Sequence, residues 1–197
     1  MAVLNLTAEL ERLIADVVRR LDEFAHIDPT RLLVCITGTR GGGVQGMYAK
    51  IHPLRFAGGA RSRVLRRGRR TVTATFPAVT HQGKEILYLI YFLTPRFFDL
   101  SLREKLVTIF HELYHISPAC DGDIRRFPGR TYAHGSSTRR YNQRMGELVD
   151  AYLARLADPG PLHFLDGTLA ELRSRHPALV GRKLPAPRLT LTPGGGP

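Results

Sequence analysis

The chain has 197 residues, with 43% hydrophobic and 23% charged side chains, so it is long enough to fold as one domain around a buried core. It carries 29 Lys and Arg against 17 Asp and Glu, a net charge of +12, and nearly all of the basic residues are Arg. This excess is compatible with a nucleic-acid partner and equally with the composition of a GC-rich genome.

Cysteine content and hydropathy exclude several classes of protein. Cys35 and Cys120 are too few and too far apart for a disulfide framework or a cysteine metal cluster. The longest apolar run, residues 86–93, is too short to cross a membrane. Residues 1–20 carry acidic side chains within an apolar pattern, unlike a signal peptide. We therefore predict a cytoplasmic protein without a membrane partner.

The first part of the chain predicts one helix followed by strands. Apolar residues recur at helical spacing over residues 7–25, and the β-rich sequence LLVCIT predicts a buried strand at 32–37. Residues 38–46 form a glycine-rich connection that lacks the Gly-Lys-Ser/Thr ending of a phosphate-binding loop. A second strand is expected within residues 47–56.

Residues 61–93 predict a basic loop followed by a hairpin. The loop is RSRVLRRGRR at 61–70, and residues 71–79 alternate as a half-buried strand does. Residues 86–93 are apolar on both faces, and residues 81–84 have turn chemistry. We expect these two strands to pair with each other. The strand at 86–93 is also expected to offer an edge with which an extended peptide could pair.

The second half of the chain predicts helices. Ser101 and Glu104 form a capping box that opens a helix running to about residue 116. A further helix is expected at 138–156, ended by Asp158-Pro159-Gly160, and a short one at 168–176.

The first of these helices contains an HExxH motif. His111 and His115 are four residues apart, which places both imidazoles on one helix face, where they can bind one zinc ion. Glu112 stands beside the metal position, where a carboxylate can take a proton from a zinc-bound water. The motif predicts one zinc per chain and hydrolytic chemistry.

A catalytic zinc site needs a third protein ligand, and the residues leave three alternatives. His134 lies in the loop before the next helix. Asp121 stands where the metzincin pattern HExxHxxGxxH/D places its last ligand, although that pattern needs glycine where this chain has Pro118. Glu147 or Asp150 could supply a carboxylate from the following helix. We favour His134.

Other residues near the motif have two interpretations each. Asp121 and Asp123 flank a glycine, so they either form a local turn with ion pairs or accept a hydrogen bond from a zinc ligand. Tyr132 and Tyr141 either pack in the interior or donate to the oxyanion of a reaction intermediate. Tyr114 is expected to face the core.

An arginine cluster provides a candidate contact for phosphates or for an acidic protein, and otherwise is a solvated surface. Its members lie in the predicted basic loop: Arg61, Arg63, Arg66, Arg67, Arg69 and Arg70.

The stretch HELYHISPACDGDIRRFPGRTYAHG, residues 111–135, resembles the phage-type metallopeptidase domain family, whose members carry HELYHI, an acidic-Gly-acidic stretch and a later His-Gly. The resemblance covers about residues 30–175. More distantly, the chain is similar to SprT/Spartan-like zinc proteases, which place a third histidine in a His-Gly segment that opens the next helix. This resemblance implies that His134 is the third ligand. The chain has no zinc-ribbon cysteines after this region, so crosslink removal on DNA is not implied.

These observations together predict an α+β, minimal zincin-like domain over residues 1–180, with a disordered Pro/Gly-rich tail at 181–197. The domain would have an N-terminal helix, a small and mostly antiparallel sheet, the metal helix and a closing helix. The predicted function is zinc-dependent hydrolysis of peptide bonds in a peptide or protein substrate. The alternative is a binding module of the same fold that contacts nucleic acid or an acidic protein through its arginines without proteolysis.

Overall fold

A computed structural model describes residues 2–38, 47–68, 70–126 and 138–193. Within them the chain is α+β, with several helices and small sheets. The helices are α1 (Leu6–Arg20), α2 (Leu102–Tyr114), α3 (Thr138–Ala154) and α4 (Leu169–Arg175). The strands are β1 (Leu4–Asn5), β2 (Leu32–Gly38), β3 (Ala49–Pro53), β4 (Ser62–Arg67), β5 (Arg70–Thr75), β6 (Thr80–His81), β7 (Lys84–Glu85), β8 (Tyr88–Thr94), β9 (Leu179–Val180) and β10 (Thr190–Pro193). In this part of the chain, no helix has the length and apolar character that crossing a membrane requires.

Helix α1 is amphipathic and packs its apolar face into the core. It begins after Asn5, whose side chain accepts a hydrogen bond from the backbone N–H of Ala8. It ends at Leu21, earlier than the predicted residue 25, because the backbone there becomes extended. A 3-10 turn at Asp22–Phe24 follows and buries the Phe24 ring completely.

The central sheet has the strand order β2-β8-β3. Strand β8 pairs in parallel with β2 and antiparallel with β3, and its residues Tyr88–Leu93 are all buried. The predicted hairpin of residues 71–79 with 86–93 is therefore wrong. A strand that is apolar on both faces is stable where both of its faces are buried and both of its edges are paired. The middle position of the sheet pairs both edges of β8, and the packed core buries both faces. Among the described strands, the edges of this sheet belong to β2 and β3 and not to β8, on which we expected one.

The outer sheet has the strand order β10-β5-β4 and is antiparallel throughout. The prediction of a basic loop at 61–70 is wrong, because β4 pairs with β5 from Ser62↔Thr75 to Arg67↔Arg70. Gly68 in the turn has φ +60, a conformation that glycine adopts without steric cost. Arginine does not prevent pairing when the strand faces are exposed, since its charge stays in water.

Two buried clusters hold these layers together. The larger one joins α1, α2, α3 and the central sheet, and it includes the 3-10 turn Gly160–Leu165. The smaller one lies at the junction of the central and outer sheets, where the Phe56 and Phe76 rings are 4.8 Å apart and His52 meets Phe76 at 6.5 Å. The outer sheet is thus anchored at the end of β5.

The division at residue 180 stays a prediction. Within the predicted tail, the described residues lie along the domain: the Ile36 N–H donates to the carbonyl of Arg182, and β10 pairs with β5. Strand β9 pairs with β1, next to α1. Most strand pairs are antiparallel, as predicted, and β2–β8 and β1–β9 are the parallel ones in the described residues.

Candidate metal site

Helix α2 is held rigidly at its start and along its buried face. The Ser101 hydroxyl accepts a hydrogen bond from the Glu104 N–H, and the Glu104 carboxylate accepts one from the Ser101 N–H at 3.0 Å, which is the predicted capping box. The hydrogen bond from the Ser101 side chain also lowers the pKa of Glu104. Apolar side chains fix the inward face without exposure to solvent: Leu106, Ile109, Phe110 and Leu113. The helix therefore presents its last turn in a fixed orientation.

The two histidines of the motif lie in that last turn with their rings in contact. The ring centroids of His111 and His115 are 4.8 Å apart, with planes at 77°. His111 is half-buried, and His115, which caps the helix C-terminus, is 8% exposed. Two imidazoles one turn apart at a partly dry surface are a donor set that suits zinc. The pair fits a metal ion.

Glu112 is buried beside the pair, 6% exposed. Burial raises the pKa of its carboxyl group to about 7, and a hydrogen bond from the backbone of Ile51 acts in the opposite direction. This contact joins the metal helix to β3. A carboxyl group in this position can hold or release a proton near neutral pH.

The register of β3 explains why Ile51 is free to reach Glu112. The Leu54 N–H donates to Leu87, and the Leu93 N–H donates to Tyr48 on the same pair of strands. In an antiparallel ladder, backbone groups alternate between the partner and the opposite side. The backbone of Ala49 and Ile51 therefore points away from β8, towards the outer edge of the sheet.

Aromatic residues enclose the histidine pair. Tyr141 of α3 is stacked on the His115 ring, with centroids 5.9 Å apart, and meets the His111 ring at 4.9 Å. Its hydroxyl donates to the His111 carbonyl at 3.2 Å, and burial raises its pKa. Tyr114, half-buried, contacts Tyr141 and lies under the guanidinium of Arg125 at 4.3 Å. Tyr141 thus links α3 to the end of α2 that carries the histidine pair.

The two aspartates after the motif are engaged in a local turn. Asp121 accepts from the Ser117 hydroxyl at 2.6 Å and from the Asp123 N–H at 3.1 Å. Asp123 forms an ion pair with Arg126 and accepts from the Gly58 N–H. These contacts agree with the local-turn interpretation, and they tie this loop to the segment after β3.

The carboxylates of α3 are not brought to the histidine pair. Asp150 forms an ion pair with Arg103 in the first turn of α2, which lies about 12 Å along the helix from His111. Glu147 lies at the surface and contacts Gln143 and Arg144. Both side chains are more than half exposed.

The third zinc ligand that we favour, His134, lies outside the described residues, as do Tyr132 and Arg69, so these assignments stay predictions. Among the residues that are described, no group of three or more His, Cys, Asp or Glu is placed to hold a metal ion. Arg61, Arg63, Arg66 and Arg70 belong to the outer sheet and its approach. Sequence reasoning missed Ile51, because its part in the site is a backbone N–H that no side-chain pattern marks.

The chain belongs to the family described as "Putative phage metallopeptidase", whose family model matches residues 4–152. The match begins at β1 and ends within α3, so it contains the central sheet, the metal helix and Tyr141. No curated protein and no solved structure matches the chain. Membership implies a metal cofactor and a peptide or protein substrate.

Proposed function

We propose that this protein hydrolyses peptide bonds with one zinc ion held by His111, His115 and His134. The observation that carries the proposal is the arrangement at the end of α2: two contacting imidazoles with a buried carboxyl group on the next residue. That combination suits a hydrolytic metal site better than a purely structural one, because structural zinc sites use four protein ligands and need no adjacent base.

Zinc, when bound, would supply Lewis-acid chemistry: it lowers the pKa of water and polarises a substrate carbonyl. The protein supplies the orientation of the ligands. Tyr141 stacks on the His115 ring and meets the His111 ring edge-on, so it restricts the rotation of both imidazoles. Ring orientation fixes where the two nitrogen donors meet.

Glu112 moves the proton in the proposed reaction. Its carboxylate takes a proton from the attacking water as the new C–O bond forms, and it then donates that proton to the amine nitrogen as the C–N bond breaks. The hydrogen bond from Ile51 holds the carboxyl group in place and favours its ionised form. Its burial keeps bulk water from competing for the proton.

The substrate would lie along β3. The outward N–H and C=O of Ala49 and the outward C=O of Ile51 can pair with an extended peptide beside Glu112, while the Ile51 N–H stays bonded to the Glu112 carboxylate. The sequence suggested the strand at residues 86–93, which contains β8, as the peptide-binding edge, and we propose the edge of β3 instead.

Metal content is the first test. Zinc is measured by mass spectrometry in the purified wild type and in His134→Ala, Asp121→Ala and Glu147→Ala, with His163→Ala as a control, because His163 is an exposed histidine away from the motif. We expect about one zinc per chain, lost in His134→Ala and retained in the other three. Loss in Asp121→Ala or Glu147→Ala instead would reassign the ligand. No zinc in the reconstituted wild type would refute the site.

Hydrolysis is the second test. Glu112→Gln keeps the shape of the side chain but removes the base, so cleavage of labelled casein or of a random peptide library should fall by at least about 100-fold while zinc is retained. Full activity in this variant would refute the role of Glu112. Glu104→Gln, a change of the same chemistry at the other end of α2, is the control and should remain active.

A further inference from the structure

Charge is distributed unevenly along the chain in a way that the proposed hydrolysis does not use. Residues 29–84 contain eleven Lys and Arg and no Asp or Glu, and residues 172–197 contain five Lys and Arg and again no acidic residue. All three strands of the outer sheet come from these two segments. The outer sheet therefore carries positive charge without a carboxylate of its own.

The hairpin formed by β4 and β5 carries exposed arginines. On one face of the hairpin Ala74 is fully buried, whereas Val64, in the next register pair and on the other face, is 64% exposed. Four arginines are exposed on the hairpin and its approach: Arg61, Arg63, Arg66 and Arg70. Arg61 donates to the carbonyl of Phe76. Among the described residues, none of the four forms an ion pair with a carboxylate, in contrast to the arginines of α1. The four arginines of the hairpin and its approach are therefore available to contact a polyanionic partner.

One face of the same sheet is lined with hydroxyl groups. The pairing registers place these side chains on the face that also carries Val64 and Arg66: Ser62, Thr71, Thr73, Thr75, Thr190 and Thr192. Short hydroxyl side chains and arginines are the groups that contact the phosphate and sugar of nucleic acids. Binding of an acidic protein would need only the arginines, and the row of hydroxyl groups would add nothing to it.

We propose that the outer sheet is a docking surface for double-stranded DNA, with the β4–β5 hairpin entering the major groove. A two-stranded ribbon fits the width of that groove in B-form DNA, whereas the major groove of duplex RNA is too narrow for side chains to read. Arg66 lies on the hydroxyl face, and Arg63 and Arg70 lie on the opposite face, so a hairpin within the groove directs arginine forks from both of its faces towards phosphate oxygens. Binding is independent of base sequence, and it does not rest on the metal site, which lies on α2.

The test measures binding of a fluorescein-labelled 25-base-pair DNA duplex by anisotropy between 50 and 200 mM KCl. The variant replaces three exposed arginines: Arg63→Gln, Arg66→Gln and Arg70→Gln. Each phosphate contact contributes a slope of about −0.9 in log K against log salt, so the slope should flatten by about 2 to 3 and the affinity should fall by at least about 10-fold.

A matched control removes the same charge elsewhere. Arg12→Gln, Arg19→Gln and Arg31→Gln replace surface arginines that pair with Glu9, Asp16 and Asp28, and this triple variant should keep the wild-type slope. Thermal unfolding confirms that both triple variants fold. Glu112→Gln should bind DNA as the wild type does, which separates this proposal from that of hydrolysis.

Three results would overturn the proposal. Equal loss of affinity in both triple variants would mean that net charge alone drives binding. Competition by polyglutamate as effective as unlabelled DNA, charge for charge, would identify an acidic protein as the partner. Equal affinity for a duplex RNA of the same sequence would exclude entry into the major groove.

Discussion

The described residues form two three-stranded sheets that differ in burial, in composition and in what they carry. In the central sheet, the middle strand β8 is buried from Tyr88 to Leu93. In the outer sheet, the middle strand β5 buries only Ala74, and both flanking strands are exposed wherever the structure describes their side chains, apart from the half-buried Leu65. The central sheet positions the candidate metal site, and the outer sheet carries the basic surface.

The difference shows two ways in which a strand is stabilised. Strand β8 gains its stability from apolar side chains that leave water on both faces. Strand β4 has the sequence SRVLRR and buries little, so its stability comes from the backbone pairing with β5 and from the aromatic cluster at the base of the hairpin. Such a strand depends on its partner rather than on its own composition.

Truncation of a side chain in each sheet tests this contrast most strongly. Phe92 of β8 is fully buried and contacts Phe97 at 4.5 Å, so Phe92→Ala should lower the free energy of unfolding by about 3 to 5 kcal/mol. Val64→Ala in β4 should change it by no more than about 0.5 kcal/mol. Urea unfolding measures both. A comparable loss in the two variants would show that the outer sheet is part of the same core.

The junction of the sheets should respond to pH. Burial lowers the pKa of His52 below its ordinary 6.5, with a smaller contribution from Lys50 in the same direction. As pH falls below 6.5, the unfolded chain then binds more protons than the folded one. The contribution of His52 to the free energy of unfolding is therefore fully present above pH 6.5 and is lost as pH falls through the lowered pKa. Burial lowers the pKa of His26 as well, so His26 adds to this slope, whereas the raised pKa of Glu112 acts on the free energy of unfolding in the opposite direction over the same range.

His52→Gln isolates the contribution of His52. In urea unfolding at pH 7.5, 6.5, 5.5 and 5.0, this variant should lose less free energy of unfolding towards low pH than the wild type does, and the difference between the two profiles is the contribution of His52. An unchanged pH profile in His52→Gln would contradict the assignment. His163→Gln, at an exposed position, serves as the control and should leave the slope intact.

The smallest effect is expected at the exposed hydroxyl face of the outer sheet. The Ser62 and Thr75 hydroxyls are 2.8 Å apart across the strands. Thr75→Val removes that hydrogen bond and keeps the β-branched shape, so it should cost about 0.5 kcal/mol or less. A double-mutant cycle with Ser62→Ala isolates the pair. A coupling energy near 2 kcal/mol would mean that this face is drier than its exposure indicates.

Local signals predicted the helices and the contact between the two histidines of the motif. The capping box at Ser101 marked the start of α2 correctly, and the expected helix at 138–156 is α3 at Thr138–Ala154. Local signals succeed here because a cap and a helical period are set by residues a few positions apart. The HExxH spacing also predicted the contact between the two imidazoles, because that contact lies within one helical turn.

Contacts between distant segments could not be predicted in the same way. The sequence marked residues 86–93 as buried but did not identify β2 and β3 as its partners, since several apolar strands would satisfy the same pattern. The high arginine content of residues 61–70 suggested a loop. The strand could not be recognised there, because β4 is stabilised by its pairing with β5 and not by its own composition. The hydrogen bond from Ile51 to Glu112 depends on the register in which β3 pairs with β8. Because it is made by a backbone N–H, the identity of the side chain does not predict it.

Late segments of the chain close over early ones, and this arrangement has a consequence while the chain is being synthesised. The apolar face of α1 is among the first parts to emerge, yet it packs on the 3-10 turn Gly160–Leu165, and β1 pairs with β9. Until those residues leave the ribosome, that face remains exposed to solvent and to other proteins. Pairings of such long sequence separation also slow folding. Aggregation during expression is therefore expected to depend on the late segments, although they follow residues 4–152, which the family model matches.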